Sequence, residues 1–128
     1  MLPRQSAMRL LLIRTAMLLG VLLFGAVTLY LEYEGRLSAI PAERARMLGY
    51  VFMALTGMAL VALFTIRGRL QSADEARQMT LHIIGYAVAE GTALFGAVIW
   101  FVGGAREWYV AGVVLMVVAF QVLPVKRE

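Results

Sequence analysis

Long apolar runs separated by short charged stretches dominate the chain. The first extends from Thr15 to Tyr33, with Arg4, Arg9 and Arg14 before it and Glu32, Glu34 and Gly35 at its close. The second covers Met47 to Ile66 and stops at Arg67-Gly68-Arg69. The third covers Met79 to Val102 and stops at Gly103-Gly104, and the fourth, Tyr109 to Leu123, ends at Pro124 with Lys126 and Arg127. A hydrocarbon core about 30 Å thick takes roughly 20 residues of helix. Lipid offers the backbone no hydrogen-bond partner, and no run contains an internal proline, so each predicts a transmembrane helix. Pro41, three residues after Ser38, predicts that the second helix opens with a polar extra turn outside the lipid.

Composition narrows the class. Of 128 residues, 62% are hydrophobic and 16% charged, and the chain has no cysteine. A soluble domain runs nearer to about half apolar and about a quarter charged, which excludes an ordinary globular protein, a disulfide scaffold and a disordered tail. The net charge of +4 does not point to nucleic acid, because the basic residues punctuate the apolar runs instead of forming a patch. The first run is longer than the apolar stretch of a signal peptide and is read as a retained anchor. Eight of the 12 basic residues (Arg4, Arg9, Arg14, Arg67, Arg69, Arg77, Lys126 and Arg127) fall on one side of the runs, against Arg36, Arg44, Arg46 and Arg106 on the other. That asymmetry predicts both termini in the cytoplasm. Tyr30, Tyr33, Trp100, Trp108 and Tyr109 collect at the opposite interface, where amphipathic rings prefer to sit. The expected fold is all-α: one domain over residues 1–128, a four-transmembrane-helix antiparallel bundle in an inner (plasma) membrane. Its helices lie near 15–33, 47–66, 79–102 and 109–123. Leu23-Phe24-Gly25-Ala26-Val27 also recurs as Leu94-Phe95-Gly96-Ala97-Val98, which raises a duplicated hairpin as one origin and a restricted membrane alphabet as the other.

One ionisable residue lies deep in a run. Glu90 sits near the middle of the third, where a charge costs on the order of 2.5–3.5 kcal/mol on insertion scales. The expectation is a protonated carboxyl, hydrogen-bonded to Thr56 at matching depth on the second helix. Two readings follow. Glu90 is structural glue between helices, or it binds a proton. Gly85, Ala89, Ala93 and Ala97 recur every fourth residue, and Gly85, Ala89, Thr92, Gly96 and Gly103 make a second seam. Small residues at such spacing let backbones approach closely, and their flanking of Glu90 points it toward protein.

The remaining polar residues suggest interfaces rather than chemistry. His82 and Gln121, each one turn inside the cytoplasmic end of its helix, are expected to bond to each other. Glu32, Glu34 and Arg36 read as a solvated cluster, and Asp74, Glu75 and Arg77 as the solvated start of the third helix. A lone histidine with no cysteine makes neither a metal nor a haem site. No catalytic triad, thiol nucleophile or phosphate loop is present, so neither enzyme activity nor a cofactor is expected.

The stretch Gly85-Tyr86-Ala87-Val88-Ala89-Glu90-Gly91-Thr92-Ala93-Leu94-Phe95-Gly96-Ala97-Val98-Ile99 resembles the carboxylate helix of rotary ATP synthase c subunits. The resemblance lies in the Ala-Glu pair, the small-residue face and the aromatic-Gly step. It implies that Glu90 matches the proton-binding carboxylate and that Ala89, Ala93 and Gly96 match its packing face. Elsewhere the chain departs from that family. The run from Gly49 to Ile66 lacks the dense glycine repeat, and Ala76-Arg77-Gln78 is followed by Met79 where the family's loop has proline. The sequence therefore reads as a c-like helix within a different four-helix protein. The expected role is that of an accessory or assembly subunit among other membrane-protein subunits, or of a self-associating protein; the alternative is a proton-translocating component using Glu90.

Overall fold

The structure, a computed structural model, describes residues 2–36, 40–103 and 106–125. Four helices account for nearly all of them: α1 (Arg4–Tyr33), α2 (Ala42–Leu70), α3 (Glu75–Gly103) and α4 (Arg106–Val122). No strand occurs among the described residues. Three of the helices, α1, α2 and α3, are long and apolar enough to cross a membrane. At 17 residues, α4 would rise about 25 Å, at the lower limit of a crossing.

All four helices start before the apolar runs do. Pro3 and Pro41 precede α1 and α2, and the carbonyl of each accepts the first helical hydrogen bond, from Ala7 and Ala45. The fixed φ of proline suits a helix entry, so the arginine-bearing turns ahead of Thr15 and Met47 are helical too. Gly35 ends α1 at φ +69°, with its N–H donating to Glu32 and that of Arg36 to Leu31. This paired closure satisfies the last carbonyls and needs the left-handed conformation that glycine adopts freely. The Asp74 carboxylate accepts the Arg77 N–H and caps α3, whose first turn is exposed.

End-to-end contacts set the helix directions. Ser6 near the start of α1 donates to Glu75 at the start of α3, and Trp100 near the end of α3 donates to Glu32 near the end of α1. Tyr86 on α3 donates to Leu123 just past α4, whereas Gly96 meets Trp108 at the beginning of α4. Gly49, early in α2, also faces Trp108, and Leu63 and Ile66, late in α2, face Gly85. Thus α1 and α3 run one way and α2 and α4 the other.

Helix α3 sits at the centre. It packs against α1, α2 and α4, while among the described residues the backbones of α1 and α2 make no close approach to each other. The main core joins Val21 of α1, Ala59 and Leu63 of α2, Tyr86, Ala89 and Ala93 of α3, and Leu115, Met116 and Ala119 of α4. A smaller cluster of Leu2, Ala7 and Leu10 closes the end that carries both chain termini, against Met79, Ile83 and Val125. The two halves are therefore not packed alike: α3 and α4 lie together along their length, unlike α1 and α2. The paired glycines Gly25 and Gly96 nevertheless both face the start of α4, at Tyr109 and Trp108.

Candidate functional site

Glu90 stands midway along α3 and is half-buried. Helical periodicity places it on the stripe of Met79, Ile83 and Tyr86, of which the first two pack against the first turns of α1 and Tyr86 against the end of α4. Thr56 belongs to α2, on another side of α3. Its Oγ1 is buried without a hydrogen-bond partner among the described residues, so the expected Glu90–Thr56 bond is not made. The sequence supplied depth but not azimuth: two residues at one level in a bundle meet only if both face the same seam.

The small residues surround the acid on its protein-facing side. Gly85, Ala89, Ala93, Gly96 and Ala97 are all buried. A methyl group at Gly96 would strike the Trp108 carbonyl, and one at Gly112 would sit 2.7 Å from the Ala93 Cα, so α3 and α4 touch backbone to backbone. At Gly85 the neighbours are the side chains of Leu123, Leu63 and Ile66. Thr92 is buried but donates to the Val88 carbonyl of its own helix and needs no partner elsewhere.

The opposite face of α3 is different. Thr80, Ile84, Ala87, Gly91, Val98 and Phe101 are exposed along one stripe, and a methyl group at Gly91 would meet nothing within 4 Å. The stripe lies between α1 and α2, away from α4, and Glu90 borders it.

Polar side chains gather at both ends of the bundle. At the termini end, His82 does not bond to Gln121, which is exposed. Its Nδ1 faces the Gln78 carbonyl at 2.8 Å and its Nε2 the Pro124 carbonyl at 3.2 Å. Just beyond α4, the carbonyls of Leu123 and Pro124 meet the side chains of Tyr86 and His82 on α3. The Tyr86 hydroxyl donates to the Leu123 carbonyl at 2.6 Å, and its ring packs edge-on against Phe120, over which the Arg14 guanidinium lies at 4.8 Å. Arg14, half-buried within α1, thus rests on aromatic surface of α4.

At the other end Glu32 takes its partners from other helices rather than from Glu34 and Arg36. Its carboxylate accepts from the Trp100 indole and pairs with Arg106, whose guanidinium also lies 5.9 Å from the Trp100 ring centroid. Tyr109 stacks obliquely on Trp100 and donates its hydroxyl to the Val21 carbonyl at 3.1 Å. This contact set ties α1, α3 and α4 together. The aromatic belt marked its level in the sequence; which acid it would meet depended on the parallel course of α1 and α3.

No group of three or more metal-ligating side chains occurs among the described residues. No protein-family model, curated protein or solved structure matches the chain.

Proposed function

We propose that the chain is a small, non-enzymatic, multi-pass protein of the inner membrane, serving as an accessory or assembly subunit of a larger membrane complex or associating with itself. In this reading all four helices cross the bilayer and both termini lie in the cytoplasm. The arginine-rich termini end and the aromatic opposite end support that orientation.

One observation carries the assembly role. Helices α1 and α2 fail to close over α3, leaving a stripe with Ala87 and Gly91 at its centre and a half-buried acid at its edge. In lipid, helices associate through close approach of small residues and through polar contacts, and this stripe offers both. Native mass measurement after mild-detergent extraction tests it. A discrete larger assembly that is lost on Gly91→Leu, with the helix content of the chain retained, supports the role. A lone chain, or an assembly indifferent to that substitution, overturns it.

A second reading rests on Glu90 alone. It is half-buried midway along α3, and no hydrogen bond to its carboxyl occurs among the described residues. A hydrophobic carbodiimide that labels Glu90 selectively and blocks proton flux supports this reading; flux unchanged in Glu90→Gln removes it.

A further inference from the structure

The termini end holds a cavity that neither role uses. Its volume is about 330 Å³, and it opens between the C-terminal ends of α2 and α4. Leu2, Leu70, Val122 and Pro124 form an apolar wall; Arg67, Gln71, Gln78 and His82 supply the polar side. Two of those polar residues are already engaged. Both ring nitrogens of His82 face carbonyl oxygens, and the Gln78 amide donates to the carbonyls of Leu70 and Ala73. The two polar lining residues left over are Arg67 and Gln71, both exposed and neither held by a side-chain hydrogen bond among the described residues. Arg67 has no carboxylate partner among the described residues.

From this we infer that the cavity binds the phosphate headgroup of an anionic membrane lipid. Arg67 takes the phosphate oxygens through its planar fork of donors, Gln71 adds a neutral donor, and the apolar wall receives the start of the glycerol and acyl portion. The position fits the ligand. The cavity lies at the end of three apolar helices, where headgroups sit, and on the arginine-rich side, where basic pockets between helices attract anionic lipid. A free phosphate would use the same guanidinium but would gain nothing from Leu2, Leu70 and Val122. The inference rests on the membrane reading above, and fractionation of the protein with the membrane checks that reading separately.

Native mass spectrometry of the purified protein, titrated with phosphatidylglycerol and with phosphatidylcholine, tests the site. Wild type is expected to retain phosphatidylglycerol in preference, with retention falling about tenfold in Arg67→Gln and unchanged in Arg69→Gln. Gln71→Glu, which sets a carboxylate beside the phosphate without altering Arg67, is expected to lose the lipid as well. Equal retention of the two lipids, or Arg67→Gln and Gln71→Glu both behaving as wild type, overturns the site. Inorganic phosphate as a competitor separates the sources: no displacement supports a lipid headgroup, whereas displacement at low concentration overturns the lipid assignment in favour of the free anion.

Discussion

Helices α1 and α3 lie side by side, run the same way and share a pentapeptide, yet they are used differently. In its most apolar stretch α1 is more hydrophobic than α3, but only 17% of that stretch is buried, against 50% in α3. If burial followed hydrophobicity, the order would be reversed. In lipid it does not, because the tails are as apolar as leucine and reward no side chain for leaving them. What decides burial is how near another backbone can come. Along α3 that nearness is supplied by Gly85, Ala89, Ala93 and Gly96, met by Gly112 of α4. Along α1 the long side chains Leu12, Leu19, Leu22 and Leu23 stand outward. Of its two glycines, Gly20 has open space around it and Gly25 touches a neighbouring helix through the Tyr109 side chain.

The largest test of this contrast is a glycine exchanged for leucine on each side of it. Gly112→Leu forces a side chain into the Ala93 backbone and is expected to cost about 3 kcal/mol or to prevent folding. Gly20→Leu, with nothing within 4 Å, is expected to leave the thermal midpoint in mild detergent unchanged or raised. Equal losses would show that α1 is packed as tightly as α3. Tyr86→Phe comes next. It strips the Leu123 carbonyl of a buried donor at 2.6 Å and is expected to cost about 1 kcal/mol, visible as faster proteolysis of the chain beyond Val122. Glu32→Gln keeps an acceptor for the Trp100 indole but removes the charge opposite Arg106. The expected result is a small fall in thermal midpoint that high salt reproduces in wild type and does not deepen in the variant. The smallest effect belongs to Thr56→Val. Its hydroxyl is buried without a partner in the single chain, so removing it is expected to be neutral or slightly stabilising there. Loss of a purified assembly in this variant, with the isolated chain unharmed, would instead place a partner's polar group against Thr56.

How much of the candidate site could be read beforehand depended on the kind of information each residue carried. Periodicity put Gly85, Ala89, Ala93, Gly96 and Ala97 on one side of a helix, because residues three and four apart share a face whatever the tertiary fold. It also singled out Glu90, since an acid in the middle of an apolar run is conspicuous wherever it points. Partnerships were another matter. Thr56 matches Glu90 in depth, and depth says nothing about which of several seams a residue faces. Gln121 matches His82 in the same way, but the ring meets the backbone beyond α4 instead. Glu32 groups with Glu34 and Arg36 in sequence, whereas its partners in space come from α3 and α4.

The amino-acid order by itself determined that there would be four helices and roughly where the apolar stretch of each lies. In lipid the backbone must satisfy itself locally, so every long apolar run becomes a helix regardless of its neighbours. Proline and glycine then marked the ends, carrying α1 and α2 further toward their arginines than hydrophobicity alone would. Only the tertiary structure decided that α3 would be the hub, that α1 and α2 would stay apart and that a cavity would open beside Arg67. Those outcomes depend on which small residues meet across helices. Such meetings are set by rotation about each helix axis, to which a pattern of hydrophobic positions surrounded by hydrophobic solvent is nearly blind.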